Sequence, residues 1–312
     1  MAEPGAAAPR NRLAVAGARA TTRAMLSKQP RGDVIRNMIF AALLMLAVLI
    51  ALAGLIALLV QAFVKGAPAL SPDLITEGPS SIRPESAGFR PAIIGSLELI
   101  AGVILFVVPI GVGAALYLEE YADKTRWWNR LIEINIQNLA AVPSIIYGIL
   151  GLGFIVRGPL SLGFVLAAGS LTLALLVLPM VIIAAREAIR AVPDSIRQGS
   201  LALGATKWQT IRRQVLPASI PGITTGIILA VSRALGEAAP LLLVGAAAFV
   251  TFDPEPLSGG YSALPVQIYN YATRPQEEFQ ALAAAGIIVM LVVLLAMNSV
   301  AVWLRNRYEQ RW

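Results

Sequence analysis

Long apolar runs alternate with short polar segments along the chain, and the alternation predicts membrane-spanning helices joined by loops. Residues 37–64 carry no charge over 28 positions. About 20 such residues cross a bilayer core, so this run is the first span. The second, 91–118, is interrupted only by Glu98, and the third, 134–156, is uncharged. In the third, Pro143, Gly148, Gly151 and Gly153 permit close packing or a local break. The fourth lies within 160–185 and the sixth within 280–304. The fifth run, 218–250, is 33 residues long, too long for one upright span, and Gly236 with Pro240 predicts a discontinuous helix. Gly222 and Gly226 open it with a spacing that lets another helix approach. The fold class is therefore all-α, with six transmembrane helices.

The polar segments have their own signatures. Residues 65–91, rich in proline and glycine, and 251–279, which adds several aromatics, are predicted loops on one side, as is the turn Arg157-Gly158-Pro159. Residues 119–130 form a short polar loop with Trp127 and Trp128 where indoles favour an interface. The segment 186–217 is strongly basic between two apolar runs. Pro193-Asp194 predicts a helix start, Gly204 a stop, and Thr206 with Gln209 a capping box. The second loop helix then places Trp208, Ile211 and Val215 on one face and Lys207, Arg212 and Arg213 on others.

Composition and charge narrow the function. A 312-residue chain that is 57% hydrophobic and 14% charged, with mean hydropathy +0.72, is too apolar for a soluble globular protein. The net charge of +7 excludes nothing alone, but the cations flank apolar runs, which encodes topology rather than nucleic-acid binding. With the N-terminus inside, inside segments hold 19 Lys and Arg and outside segments 5. Both termini are accordingly predicted to be cytoplasmic. Residues 1–36 read as a basic, disordered tail rather than a transit peptide, residues 92–305 as the core and 306–312 as a cytoplasmic tail. The absence of Cys and His excludes disulfides and the commonest metal ligands, so no metal site and no catalytic residue is expected. No P-loop pattern occurs, so any ATPase must be another subunit and no cofactor is expected on this chain.

Intramembrane ionisable residues are costly and hence informative: Glu98, Arg233 and Glu237. At 1.5 Å per residue, Glu98 lies roughly 9 Å from the outer end of its helix and Arg233 roughly 22 Å from the inner end of its own, at similar depth. Arg233 and Glu237 are one turn apart, so either carboxylate could neutralise the guanidinium. One reading is a structural ion pair; the other is a substrate pathway, because a broken helix beside the pair is what a cavity needs.

The spacing around Gly204 resembles the cytoplasmic loop of bacterial ABC-importer permeases: Glu-Ala-Ala, three residues, Gly, nine residues, Ile-x-Leu-Pro. Gly204 and Leu216-Pro217 match, while Gln198-Gly199-Ser200 replaces Glu-Ala-Ala and Gln214 replaces the Ile. NLAAVPSIIYGILGLG, ITTGIILAVSRALGEAAPLLL and LPVQIYNYATRPQEEF are similar to the phosphate-specific PstA branch, over about two thirds of the chain. The resemblance implies a type I ABC-importer permease of the bacterial plasma membrane that carries inorganic phosphate. It implies a related permease, PstC, two copies of an ATPase and an extracytoplasmic phosphate-binding protein as partners. Residues 198–200, 204, 216 and 217 would couple to the ATPase. A permease for another oxyanion and a stand-alone secondary transporter are the alternatives.

Overall fold

Pro143 divides what the sequence reads as one third span. The computed structural model describes residues 31–246, 250–257 and 259–308, and among them regular structure is helical apart from one bridge between Ala246 and Tyr261. Residues through Gln61 form one unit and residues from Ala62 a second. The first contains most of helix α1 (Arg31–Gly66), whose large apolar side chains are exposed. The helix begins at Arg31, inside the stretch expected as tail; residues 1–30 and 309–312 lie outside the described residues.

The second unit is built on α2 (Arg90–Leu116), α5 (Leu166–Arg190) and α8 (Leu216–Leu235), which pack against one another. Close approach is decided at the predicted glycine pair. A Cβ on Gly222 would lie 2.7 Å from Ala188 Cβ, and one on Gly226 would lie 2.4 Å from Ala184 Cβ. Only glycine allows α8 to lie this near α5, as the spacing predicts.

Between α2 and α5 the chain forms α3 (Trp127–Ala140) and α4 (Ser144–Leu150), the latter prolonged by a wider turn over Gly151–Val156. The two bend by 107° at the break. Proline supplies no N–H to continue α3 and biases Val142 away from helix, and Pro143, at φ −56° and ψ 138°, becomes the N-cap of α4. Tyr147 Oη donates to the Leu139 carbonyl at 2.8 Å across the break. The break thus falls at the proline rather than at the following glycines, and Trp127 and Trp128 open a helix instead of ending a loop. Among the described residues five helices are long and apolar enough to cross a membrane, and six spans result if this bent pair is one.

The fifth span is discontinuous as predicted: α8 stops at Gly236 and α9 (Ala239–Leu243) follows. The 251–279 segment is not simply a loop. It contains α10 (Leu264–Ala272), with Leu264, Val266, Gln267 and Tyr271 buried. Tyr261, Tyr271 and Phe279 are buried as well, while Tyr269 is exposed. The last span is α11 (Glu277–Tyr308), which carries the chain beyond the predicted boundary at 305.

Candidate functional site

Arg233 stands on the last turn of α8, just before the helix stops at Gly236. Its neighbours Ala234 and Leu235 are buried, while its own side chain is 46% exposed and points away from the core those residues join. Nε donates to Glu237 Oε1 at 3.5 Å, a long contact that leaves most of the guanidinium's donors free. Glu237 is more enclosed, with 19% of its side chain exposed.

Ser96, Leu99 and Ile100 of α2 border the same small void as Ala234 and Leu235 of α8, so Glu98 and Arg233 do lie at similar depth. No ion pair joins them among the described residues. Glu98 Oε2 is buried without a hydrogen-bond partner. The structure therefore brings Arg233 to Glu237 and leaves Glu98 apart.

The basic loop forms α6 (Asp194–Ala202) and α7 (Lys207–Thr210), joined through Gly204. Gly204 adopts φ +84°, and the N–H groups of Gly204 and Ala205 close the end of α6 by donating to the carbonyls of Leu201 and Ser200. The capping box is formed in both directions: Gln209 N–H donates to Thr206 Oγ1 at 3.3 Å, and Thr206 N–H to Gln209 Oε1 at 2.9 Å. Ser200 Oγ and Thr210 Oγ1 lie 2.9 Å apart and tie the two helices together.

The face expected of the second loop helix is corrected at one position. A wider turn over Ile211–Val215 joins α7 to α8 and shifts the register, so Thr210, Ile211 and Val215 are buried while Trp208 is 56% exposed. Leu216-Pro217 opens α8 without interrupting the chain's helical course. Gln198 and Gly199 are exposed, Ser200 is half-buried, and α6 buries none of its residues. With Leu203 91% exposed, the loop presents Leu201, Leu203 and Trp208 outward.

What holds the loop was not read from the sequence. Arg197 Nε and Nη2 donate to Glu120 Oε1 at 3.0 and 2.9 Å, and its remaining donors reach Val192 O, Ile189 O and Asp194. Beside it, at the end of α5, Arg190 donates to Glu119 Oε2 at 3.1 Å and Arg186 to Glu133 Oε1 of α3 at 2.9 Å, contacts that tie α5 to its neighbours rather than to the loop helices. The signal available beforehand was the Glu119-Glu120 pair next to a membrane boundary, facing a later segment rich in arginine. In the same polar loop, hydrogen bonds from the Thr125 hydroxyl and N–H hold the Asp123 carboxyl below its ordinary range.

The family of binding-protein-dependent transport system inner membrane components matches residues 107–310. The chain belongs to that family. Phosphate transport system permease protein PstA of Yersinia pestis is 35% identical over 266 residues, covering 85% of this chain and 88% of that protein. PstA 1 of Mycobacterium tuberculosis strain H37Rv is 34% identical over 223 residues, covering 70% of each. A bacterial alginate ABC transporter, solved in complex with an alginate pentasaccharide-bound periplasmic protein, matches with TM-score 0.60 at 18% identity, over 89% of this chain and 97% of that one. An inward-facing MetNI methionine ABC transporter matches with TM-score 0.55 at 14% identity, over 70% and 94%. The fold is that of type I ABC-importer permeases, and the protein is a multi-pass membrane permease. The stand-alone carrier reading falls away with the family match. In this permease the outward Leu201, Leu203 and Trp208 of the loop and the exposed Arg233 are two separate surfaces, one at the end of the bundle and one within the span.

Proposed function

We propose that the chain is the PstA-like permease subunit of an ATP-driven importer of inorganic phosphate in the bacterial plasma membrane, with both termini in the cytoplasm. The observation that carries the reading is Arg233: a guanidinium at a helix break, held only by one long contact and open on the side away from its own core. A planar cation with free donors suits a phosphate oxyanion shedding its water. The similarity to PstA proteins supports that choice of anion.

Glu237 already balances Arg233, and Glu98 at the same level brings the charge there to −1, a poor path for an anion on this chain alone. A PstC-like partner permease would supply the remaining cations, and the Arg233 surface would face it. The 194–217 loop, with apolar side chains exposed and its first helix clamped to the bundle by Arg197, would dock one of two ATPase copies, which would bind the ATP. This chain would catalyse no bond chemistry and bind no cofactor. An extracytoplasmic phosphate-binding protein would deliver the ion.

Vesicles containing the four subunits test the proposal. Uptake of phosphate should require ATP and this chain, and should exceed uptake of sulfate. Equal or greater sulfate uptake would replace phosphate with another oxyanion, and ATP-independent uptake would remove the pump.

A further inference from the structure

Where the end of α2, the start of α3 and the end of α5 meet, a cavity of about 280 Å³ is lined in part by Lys124, Asn129, Arg130, Glu133 and Arg186. None of these belongs to the Arg233 surface or to the exposed face of the loop. Two of them bring unpartnered polar atoms. Arg186, with 9% of its side chain exposed, has Nη2 on Glu133 at 2.9 Å and 3.6 Å from Glu119, yet its Nε has no partner. Asn129, 7% exposed, donates Nδ2 to the Asp123 carbonyl at 2.9 Å, which fixes the amide's orientation and leaves Oδ1 without a partner. A residue with a buried unpaired donor and one with a buried unpaired acceptor thus line one cavity, each orphaned atom costing free energy.

The charges around them select the ligand. Arg130 makes no ion pair among the described residues, and Lys124 has only Glu119, at 2.8 Å, against three ammonium donors. Lys124, Arg130, Arg186 and Arg190 outnumber Glu119, Glu133 and Glu187 by one. Asp123 and Arg126 pair with each other at 3.3 Å. A tetrahedral oxyanion can accept from Arg186 Nε, Lys124 and Arg130, and Asn129 Oδ1 requires that the same molecule also carry a donor.

We propose that this cavity binds a phosphate group bearing its own hydroxyl or ammonium donor, either the head group of an anionic phospholipid or free hydrogen phosphate. Trp127 and Trp128, both exposed beside the cavity, mark the level at which indoles meet head groups, so lipid can reach it. The side of the membrane, the cytoplasmic leaflet, rests on the orientation proposed above; the binding chemistry does not.

The test uses the full chain purified with its partner subunits. Native mass spectrometry should show phosphatidylglycerol retained over phosphatidylcholine. Arg130→Gln, at an exposed side chain with no partner to orphan, should weaken that retention about fivefold, the worth of one cation near a lipid surface. Arg126→Gln, next door but outside the cavity, should leave it unchanged. In the second arm, lipid-stripped complex carrying Arg233→Leu is offered radiolabelled phosphate; binding that Arg130→Gln abolishes assigns the cavity to the free ion. Equal retention of the two lipids with and without Arg130→Gln, together with phosphate binding indifferent to Arg130, overturns the proposal and leaves the cavity to water. Neither arm reads transport, so loss of phosphate uptake with lipid selectivity intact would count against the proposed function alone.

Discussion

Arg197 on α6 and Glu120, in the wider turn Tyr117–Tyr121 that prolongs α2, are 77 residues apart in sequence, and their side chains meet through two hydrogen bonds of 3.0 and 2.9 Å. With 17% and 9% of their side chains exposed, the two charges neutralise each other in a poorly solvated place. Glu120→Leu should therefore cost about 3 kcal/mol by stranding a cation. Arg197→Met with Glu120→Leu should recover much of that. Thermal denaturation and hydrogen exchange of the α6 amides measure both, and exchange unchanged in Glu120→Leu would show that the pair does not hold the loop.

Gly204 isolates backbone strain from packing. At φ +84° with no atom within 4 Å of an added Cβ, a substitution meets no clash and feels only conformation. Gly204→Val should cost about 1–3 kcal/mol locally, and Gly204→Asn less, since Asn visits this region more readily. The chain should still insert, while ATPase stimulation falls in the order Gly, Asn, Val. Equal stimulation in all three would detach the turn from coupling.

Gly226 and Gly222 make the opposite experiment. An added methyl meets the Cβ atoms of Ala184 and Ala188, which cannot swing aside, at 2.4 and 2.7 Å. Alanine favours helix over glycine by about 1 kcal/mol, so overpacking must exceed that to destabilise. Gly226→Ala is expected to lower the melting temperature more than Gly222→Ala. The reverse order would mean that α8 and α5 separate freely at that level.

Arg233 distinguishes a pathway from an ion pair. Were the guanidinium there only to balance Glu237, Arg233→Leu with Glu237→Leu would restore a packed, working protein, because apolar residues often replace a pair without loss. A pathway role forecasts that the double variant assembles and hydrolyses ATP but moves no phosphate, and that Arg233→Lys retains little transport. Substantial phosphate uptake by the double variant, with assembly intact, would decide for the ion pair.

Orientation is tested by reporter fusions. Placed after Arg83 or Glu255 they should lie outside the cell, and after Arg197 inside. A reporter after Arg197 found outside would invert the topology and take the ATPase docking surface with it.

Much of the site was legible because it is local. The turn at Gly204 and the Thr206–Gln209 box depend on backbone groups within a few residues of one another, and a short motif specifies them. The contact of Arg233 with Glu237 follows from one helical turn. Trp208 escaped because the wider turn at Ile211–Val215 changes the residues per turn, which side-chain periodicity does not encode. Glu98 shares a level with Arg233, yet its carboxylate finds no cation, since depth follows from counting residues while direction follows from how α2 is rotated against α5 and α8.

By itself, the sequence determined that the chain is a multi-pass membrane protein, which apolar runs carry its long helices and that the fifth is broken. In hydrocarbon a backbone must close its own hydrogen bonds, so helix and hydropathy coincide within one segment. Tertiary structure decided which carboxylate meets which arginine, the 107° bend at Pro143, the packing of α10 over aromatic side chains that read as loop, and the cavity beside Arg186. Those features depend on the summed fit of helices far apart in the chain, and no stretch of residues carries that sum alone.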